Sequence, residues 1–230
     1  MNNDTTSIHW GNITKHHPSA LLLFAQLVSL ILYVAMEGVP GGQFILGVFG
    51  MLVLLLVIWV VIHSPIVNWI AWIIGGLVVL LLVLSWLLSY PSLLIWATLL
   101  EAALYFYGAS GLIMYMMGDE HVTKDDLFAA GATFTLIAWG FAYLYLVCQA
   151  WSPQAFAYTT HPQEPLSFVE LLSLSFTNLS ATGLGDIVPI SSMSRVLVML
   201  EQFAGVAYIA VVVSRLIGLT LIHFQDRKPS

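Results

Sequence analysis

Charged side chains are scarce in this chain. Asp, Glu, Lys and Arg make up 8% of its 230 residues, whereas hydrophobic residues make up 60%. A soluble domain carries about a quarter charged residues, so this composition excludes a water-soluble globule. Cysteine occurs once, at Cys148 within an apolar run, which excludes an intrachain disulfide and indicates a buried free thiol.

Long apolar runs take the place of the missing charge. A membrane-spanning helix needs about 20 mostly apolar residues, and its backbone groups must pair within the helix. The runs lack the strict alternation of barrel strands. The sequence therefore predicts an all-α integral membrane protein with six transmembrane helices. They cover residues 19–36, 44–62, 66–88, 93–117, 127–151 and 196–224.

The few basic residues predict the orientation. With six spans and the N-terminus inside, every basic residue except Arg195 lies on the cytoplasmic side, which is the side that such residues favour. We therefore expect a multi-pass protein of the cell membrane with a cytoplasmic N-terminal tail at 1–18 and a cytoplasmic C-terminal tail at 227–230.

A polar stretch at 118–126 divides the chain. It separates a four-helix transmembrane domain of unknown role, 19–117, from a second domain at 127–226. Its acidic and histidine side chains could bind Ca²⁺ or sense protons, but they lack the spacing and glycine of an EF-hand loop. We expect an acidic, solvated cytoplasmic linker. These side chains are Asp119, Glu120, His121, Asp125 and Asp126.

The segment between the last two spans is the most informative. Residues 167–178 are apolar but too short to span, and Ser167 with Glu170 forms an S-x-x-E capping box that predicts a helix start. The residues that follow, 180–186, contain two glycines and no helical pattern. Irregular backbone at membrane depth is tolerated only where protein or a water-filled cavity surrounds it. A re-entrant helix and loop are predicted.

This segment resembles a known family. The stretch Ser175–Pro189 is similar to the pore helix and selectivity filter of potassium channels, whose usual core is T-V-G-Y-G-D with a proline three residues after the aspartate. Here the core reads A-T-G-L-G-D, with Asp186 and Pro189 at the matching positions. The resemblance implies a homotetramer with an outer helix at 127–151, a pore helix at 167–178 and an inner helix at 196–224.

The resemblance also implies the ion-binding residues. The five filter positions are Ala181, Thr182, Gly183, Leu184 and Gly185. Backbone carbonyls of such a filter replace the hydration shell of K⁺, the permeating ion. Gly183 and Gly185 are expected to adopt backbone angles that other residues resist, and the C-terminal end of the pore helix carries a partial negative charge that attracts a cation. The residues expected to support the filter are Thr177, Ser180, Asp186 and Glu170.

Three substitutions relative to the family bear on selectivity. Ala181 lacks the threonine hydroxyl that completes the innermost ion site, Leu184 replaces an aromatic residue, and Thr182 replaces valine. We expect a cation channel that prefers K⁺. The alternative is a channel that selects weakly among monovalent cations.

The last span carries further candidates. The resemblance puts Arg195 at the start of the inner helix and Gly205 where that helix often has a hinge, although glycine also serves helix packing in membranes. Arg195 and Arg215 are expected to anchor the two membrane interfaces, and Glu201 is a candidate brace for the pore helix. Helical arithmetic predicts an inner cavity lined by Val206, Ile209, Val213 and Ser214.

The front helices have no assigned role. Leu93–Met117, the fourth span, contains no Lys or Arg, so the charges of a voltage sensor are absent. Glu101 in that span is a candidate sensor, or a neutral or paired group. A proton-coupled transporter using Glu101 and Glu37 is a rival from a different class, although only one re-entrant segment is visible.

We expect no enzyme, since no nucleophile, base or metal constellation is evident, and no cofactor. The expected partners are other copies of the chain and membrane lipid, with no nucleic acid and no soluble protein.

Overall fold

The computed structural model describes residues 18–36, 50, 53, 55–57, 59, 68–88, 90–118, 123–159 and 165–218. Several predictions lie outside the described residues. They concern both tails, most of the run at 44–62, the end of the last span, Glu37, and the linker residues Asp119, Glu120 and His121.

The described part of the chain is mostly helical. The helices are α1 (Pro18–Met36), α2 (Asn68–Leu88), α3 (Pro91–Gly118), α4 (Lys124–Trp151), α5 (Phe168–Leu179) and α6 (Ser192–Tyr208). Helix α6 continues directly into a π-helix, Ile209–Val213, and a last α-helical turn at 214–218. Two short strands, β1 (Phe156–Tyr158) and β2 (Ile187–Pro189), complete the elements.

Three stretches are long and apolar enough to cross a membrane. Among the described residues these are Ser92–Gly118, Lys124–Trp151 and Ser192–Gly218, and the shorter apolar helices are Pro18–Tyr33, Trp69–Ser85 and Phe168–Leu179. The architecture therefore fits an all-α membrane protein.

Helix α4 is the centre of the packing. Helices α1, α3, α5 and α6 all pack against it, and α2 packs against α3. Trp139 and Leu136 of α4 are fully buried in the main apolar core, together with Tyr105 of α3. A second core forms around Tyr145, near the C-terminal end of α4, and it includes residues of both strands, α5 and α6.

The N-terminal end of α4 corrects one expectation. Asp125 and Asp126 belong to the first turn of the helix and are buried, not solvated. Asp126 forms a capping box with Thr123, and Asp125 accepts hydrogen bonds from the Ser19 amide (3.3 Å) and hydroxyl (2.9 Å). Carboxylates at a helix N-terminus face unpaired amides and a partial positive charge. Asp125 and the Oδ2 atom of Asp126 thus have hydrogen-bond donors in their buried positions.

The two strands join the segments on either side of α5. They pair antiparallel, with Phe156 opposite Pro189 and Tyr158 opposite Ile187. The Thr159 amide extends this ribbon by donating to the Asp186 carbonyl at 2.8 Å. The ribbon thus fixes the end of the 180–186 loop against the segment that follows α4.

Candidate functional site

Helix α5 begins with the predicted capping box, which is confirmed. The Ser167 hydroxyl accepts from the Glu170 amide, and the Glu170 carboxylate accepts from the Ser167 amide at 2.6 Å. The Tyr158 hydroxyl of β1 also donates to this carboxylate. Partial burial opposes charging Glu170, but the hydrogen bonds from Tyr158 and Ser167 outweigh it and lower its pKa below the ordinary value. An ionised Glu170 thus fastens the start of α5 to the ribbon.

The other end of α5 turns directly into the 180–186 loop. The Thr177 carbonyl accepts from the amides of Thr182 (3.1 Å) and Gly183 (3.2 Å), and the Thr182 hydroxyl also donates to it (3.1 Å). The Ser180 and Thr182 hydroxyls lie 3.0 Å apart. The predicted support residues Thr177 and Ser180 therefore meet the loop. They hold the amides of Thr182 and Gly183 and the Thr182 hydroxyl toward the helix.

The carbonyls of the same loop contrast with its amides in their hydrogen bonding. No carbonyl of Ala181–Gly185 accepts a hydrogen bond from any residue that the structure describes. All five residues are exposed in the single chain, and the Leu184 side chain is 79% exposed. Unpaired carbonyls inside a membrane are costly unless an ion, water or another protein surface meets them. This row of oxygens is suited to a cation.

The backbone of the loop alternates in handedness. Ala181 and Gly183 have positive φ angles of 57° and 61°, whereas Thr182 and Leu184 do not. In a β-strand successive residues face opposite sides; an alternating backbone can instead bring neighbouring carbonyls to one side. Gly183 tolerates its angle at little cost, but Ala181 carries a Cβ and is strained.

Gly185 corrects a second expectation. Its φ is not positive, and a Cβ built on it would lie 3.9 Å from the Thr177 hydroxyl oxygen, an ordinary contact. Within one chain, an unusual backbone angle therefore explains the glycine at 183 but not the one at 185. Ala181, the other left-handed residue, was missed because sequence reasoning looks for glycine at such positions.

Gly205 lies where α6 crosses the end of α5. A Cβ built on Gly205 would lie 2.0 Å from the Leu179 carbonyl oxygen, far inside any real contact. Glycine therefore allows α6 to approach the last turn of α5 directly before the loop. The structure gives Gly205 a packing role, the second of the two readings of the sequence.

Glu201 lies one turn before Gly205 on the same face of α6 and is fully buried. It hydrogen bonds to the Ser175 hydroxyl of α5 and to the Tyr145 hydroxyl of α4. The contact with α5 confirms Glu201 as a brace for this helix. Sequence reasoning missed Tyr145 and Ser175, although a buried glutamate in an apolar helix requires hydrogen-bond donors on its neighbours.

The predicted cavity residues lie on both sides of an irregular turn. Val206, Ile209 and Ser214 are exposed in the single chain, whereas Val213 is half-buried against the main core. The π-helix at Ile209–Val213 inserts one extra residue per turn, which shifts the following side chains by about 100°. A regular 3.6-residue turn therefore does not predict which face of the helix each side chain from Val206 to Ser214 occupies.

Glu101 lies away from the loop contacts described above. It belongs to α3 and is close to the tyrosines Tyr33, Tyr105 and Tyr143. The ring of Phe168, the first residue of α5, contacts two of these, at centroid distances of 5.3 Å to Tyr33 and 4.9 Å to Tyr143. The surroundings of Glu101 thus reach the start of α5 through aromatic contacts.

The two arginines of the last helix both donate to backbone. Arg195 Nε lies 3.4 Å from the Pro189 carbonyl oxygen of β2. Arg215 Nη2 donates to the Met117 carbonyl at the end of α3, at 2.8 Å. The second contact links the far end of the last helix to α3.

Comparison with known proteins agrees with this site. Residues 131–220, which include most of α4, the loop and α6, match a family model described as "Ion channel". No curated protein and no solved structure matches the chain. The match supports an ion channel family and suggests a protein that is not an enzyme. With the three long apolar helices, it supports a membrane protein that contains an ion-channel-like segment.

Proposed function

We propose that four copies of this chain form a cation channel that prefers K⁺, with the carbonyls of Ala181–Gly185 as its ion-binding filter. The observation that carries the proposal is the loop itself. The amides of Ala181, Thr182 and Gly183 donate to carbonyls at the end of α5, whereas the carbonyls of Ala181–Gly185 have no partner in the described residues. The family match covers the whole of this region.

The proposed conduction depends on replacing water with carbonyl oxygens. A cation that enters the filter loses its hydration shell, and successive rings of four carbonyls substitute for it. The C-terminal end of α5 points at the loop, so its dipole lowers the energy of a cation on the axis. One chain supplies one side of each ring, and fourfold symmetry would complete it.

The proposed topology has six spans with both termini in the cytoplasm and α5 re-entering from outside. Ala181 and Leu184 favour a K⁺ preference that is less sharp than in channels with threonine and an aromatic residue there. A weakly selective monovalent cation channel is therefore the second candidate. Since Leu93–Met117 has no basic residue, conductance is expected to change little with voltage.

The test is ion flux in liposomes that contain the purified full chain, with K⁺, Na⁺ or no gradient. Gly183→Ala adds a Cβ at a left-handed φ and costs about 1–2 kcal/mol per subunit. We expect this variant to assemble and to lose conduction or ion discrimination. Gly76→Ala in α2, whose Cβ would meet nothing within 4 Å, is the matched control.

Three outcomes would contradict parts of the proposal. Normal, equally selective flux in a correctly assembled Gly183→Ala protein would remove the filter assignment. A reversal potential that does not distinguish K⁺ from Na⁺ would favour the weakly selective channel. Flux that requires a proton gradient would favour the proton-coupled transporter instead.

A further inference from the structure

A hydrogen-bonded chain connects three helices behind the loop. The Tyr145 hydroxyl of α4 bonds to Glu201 Oε2, and Glu201 Oε1 bonds to the Ser175 hydroxyl of α5. The Ser175 hydroxyl oxygen also lies 2.7 Å from the Ala138 carbonyl oxygen of α4. Ser175 and Glu201 are both fully buried.

The number of protons available along this chain favours one state of Glu201. The Ser175 hydroxyl has one proton and faces two oxygens, Glu201 Oε1 and the carbonyl of Ala138. The carbonyl and a carboxylate can both only accept, so the single Ser175 proton cannot fully serve both contacts. Both contacts become complete hydrogen bonds when Ser175 donates to the Ala138 carbonyl and a protonated Glu201 Oε1 donates to Ser175. With a carboxylate instead, two acceptors would compete for one proton.

The surroundings of Glu201 also favour the uncharged form. A buried carboxylate needs a positive partner or several donors. In the described parts of the chain, the groups that face it are Tyr145 and Ser175, with the Asn178 amide beside them and Cys148 beside Tyr145. None of these side chains is basic. These neighbours can donate hydrogen bonds but carry no positive charge, so a charge on Glu201 would be fully buried without a counter-charge.

We infer that Glu201 is protonated in the folded protein and acts as a positioning residue, a neutral hydrogen-bonded bridge that holds α5 between α4 and α6. Glu201 and Gly205 are one turn apart on α6, as Ser175 and Leu179 are on α5. The two contacts form a continuous seam that ends directly at the loop. This inference deepens the proposed function, because what the seam positions is the proposed filter.

The protonation state can be tested without measuring conduction. Infrared spectra of the protein in liposomes at neutral pH should contain a carbonyl-stretch band of a protonated carboxylic acid that Glu201→Gln lacks. In the difference spectrum, wild type minus variant, this band should be positive. Glu170→Gln is the matched control. Hydrogen bonds lower the pKa of Glu170, so this side chain is expected to be ionised. Glu170→Gln should therefore lack carboxylate bands that wild type shows. Loss of carboxylate bands in Glu201→Gln would overturn the inference.

The positioning role is tested by variants of the same residue. Glutamine has one acceptor and one donor group where a protonated glutamic acid has them, so Glu201→Gln should keep the flux and K⁺/Na⁺ preference of wild type. Glu201→Ala leaves Tyr145 and Ser175 unpaired, and its flux or ion preference should fall about tenfold or more. Equal loss in both variants would mean that the charge is needed, and the inference would be wrong.

The two tests separate the inference from the proposed function. A carboxylic acid band in a protein that conducts no ions would support the protonated bridge and remove the channel. Carboxylate bands in a conducting protein would remove the bridge and keep the channel.

Discussion

Replacing Gly205 by alanine is expected to open the seam between α5 and α6. The added Cβ would lie 2.0 Å from the Leu179 carbonyl oxygen, 2.8 Å from its carbon and 3.0 Å from its Cα. The obstructing atoms all belong to the backbone. No change of side-chain rotamer can therefore relieve the clash, and one of the two helices must move.

The size of the movement follows from the contact distance. Carbon and carbonyl oxygen approach each other to about 3.3 Å in favourable contacts, so α6 must shift by roughly 1.3 Å. Overpacking of this kind costs about 1–3 kcal/mol, and the backbone obstruction favours the upper end. Alanine returns about 1 kcal/mol in helix propensity. A net cost of about 2 kcal/mol per subunit would be repeated around a proposed ring of four.

The assay measures assembly, thermal stability and flux of the purified protein. Gly218→Ala is the matched control, because Gly218 lies in the same helical stretch and its Cβ would meet nothing within 4 Å. We expect Gly218→Ala to equal or exceed the stability of wild type, and Gly205→Ala to be less stable and to conduct or discriminate poorly.

Two results would refute this reasoning. If Gly205→Ala matches wild type in stability and in selective flux, the close approach to Leu179 does not exist in the assembled protein. If the variant assembles with unchanged stability and selectivity but opens less often, Gly205 is a hinge and its packing role is wrong.

Three further predictions concern other contacts. Ala181→Thr should raise the K⁺/Na⁺ preference measured by reversal potential, and an unchanged or lower ratio would contradict the role given to Ala181. The same variant should have a lower melting temperature, because a β-branched residue is strained at φ 57°. The pKa of Glu170 is lowered in the folded protein, so the stability that its charge contributes is complete above the ordinary value of 4.5 and is lost as the pH falls through the lowered pKa. Between about pH 6 and pH 3 the melting temperature should therefore fall more steeply for wild type than for Glu170→Gln, and parallel curves would refute this. Asp125→Ala leaves the Ser19 amide and hydroxyl without this acceptor and should cost about 1–3 kcal/mol of unfolding free energy, whereas the exposed Lys124→Ala should cost little; equal losses would exclude a specific Asp125 contact.

Local signals in the sequence predicted the start of α5 and the brace on it. A capping box needs only Ser167 and Glu170 at a fixed spacing, and both hydrogen bonds are present. Glu201 could be singled out because a carboxyl group in an apolar helix needs partners. The sequence did not identify those partners, since Tyr145 and Ser175 are 56 and 26 residues away.

Features that depend on three-dimensional contacts escaped prediction. Asp125 was expected in water because charge runs usually are solvated, but Ser19, 106 residues away, provides donors for it. The π-helix after Tyr208 has no periodic signature in the sequence, so the helix face of the cavity residues beyond it could not be predicted. Gly205 could be read as hinge or packing until the position of Leu179 was known.

The ribbon of β1 and β2 sets an order of events during synthesis. Both strands leave the ribosome before α6 does, so β1 and β2 can pair and join the two ends of the segment Phe156–Pro189 while the last helix is still being made. Membrane helices insert first and pack afterwards. The far end of α5 receives Glu201 and Gly205 only at that later stage, which makes the arrival of the last helix the step that seats the loop.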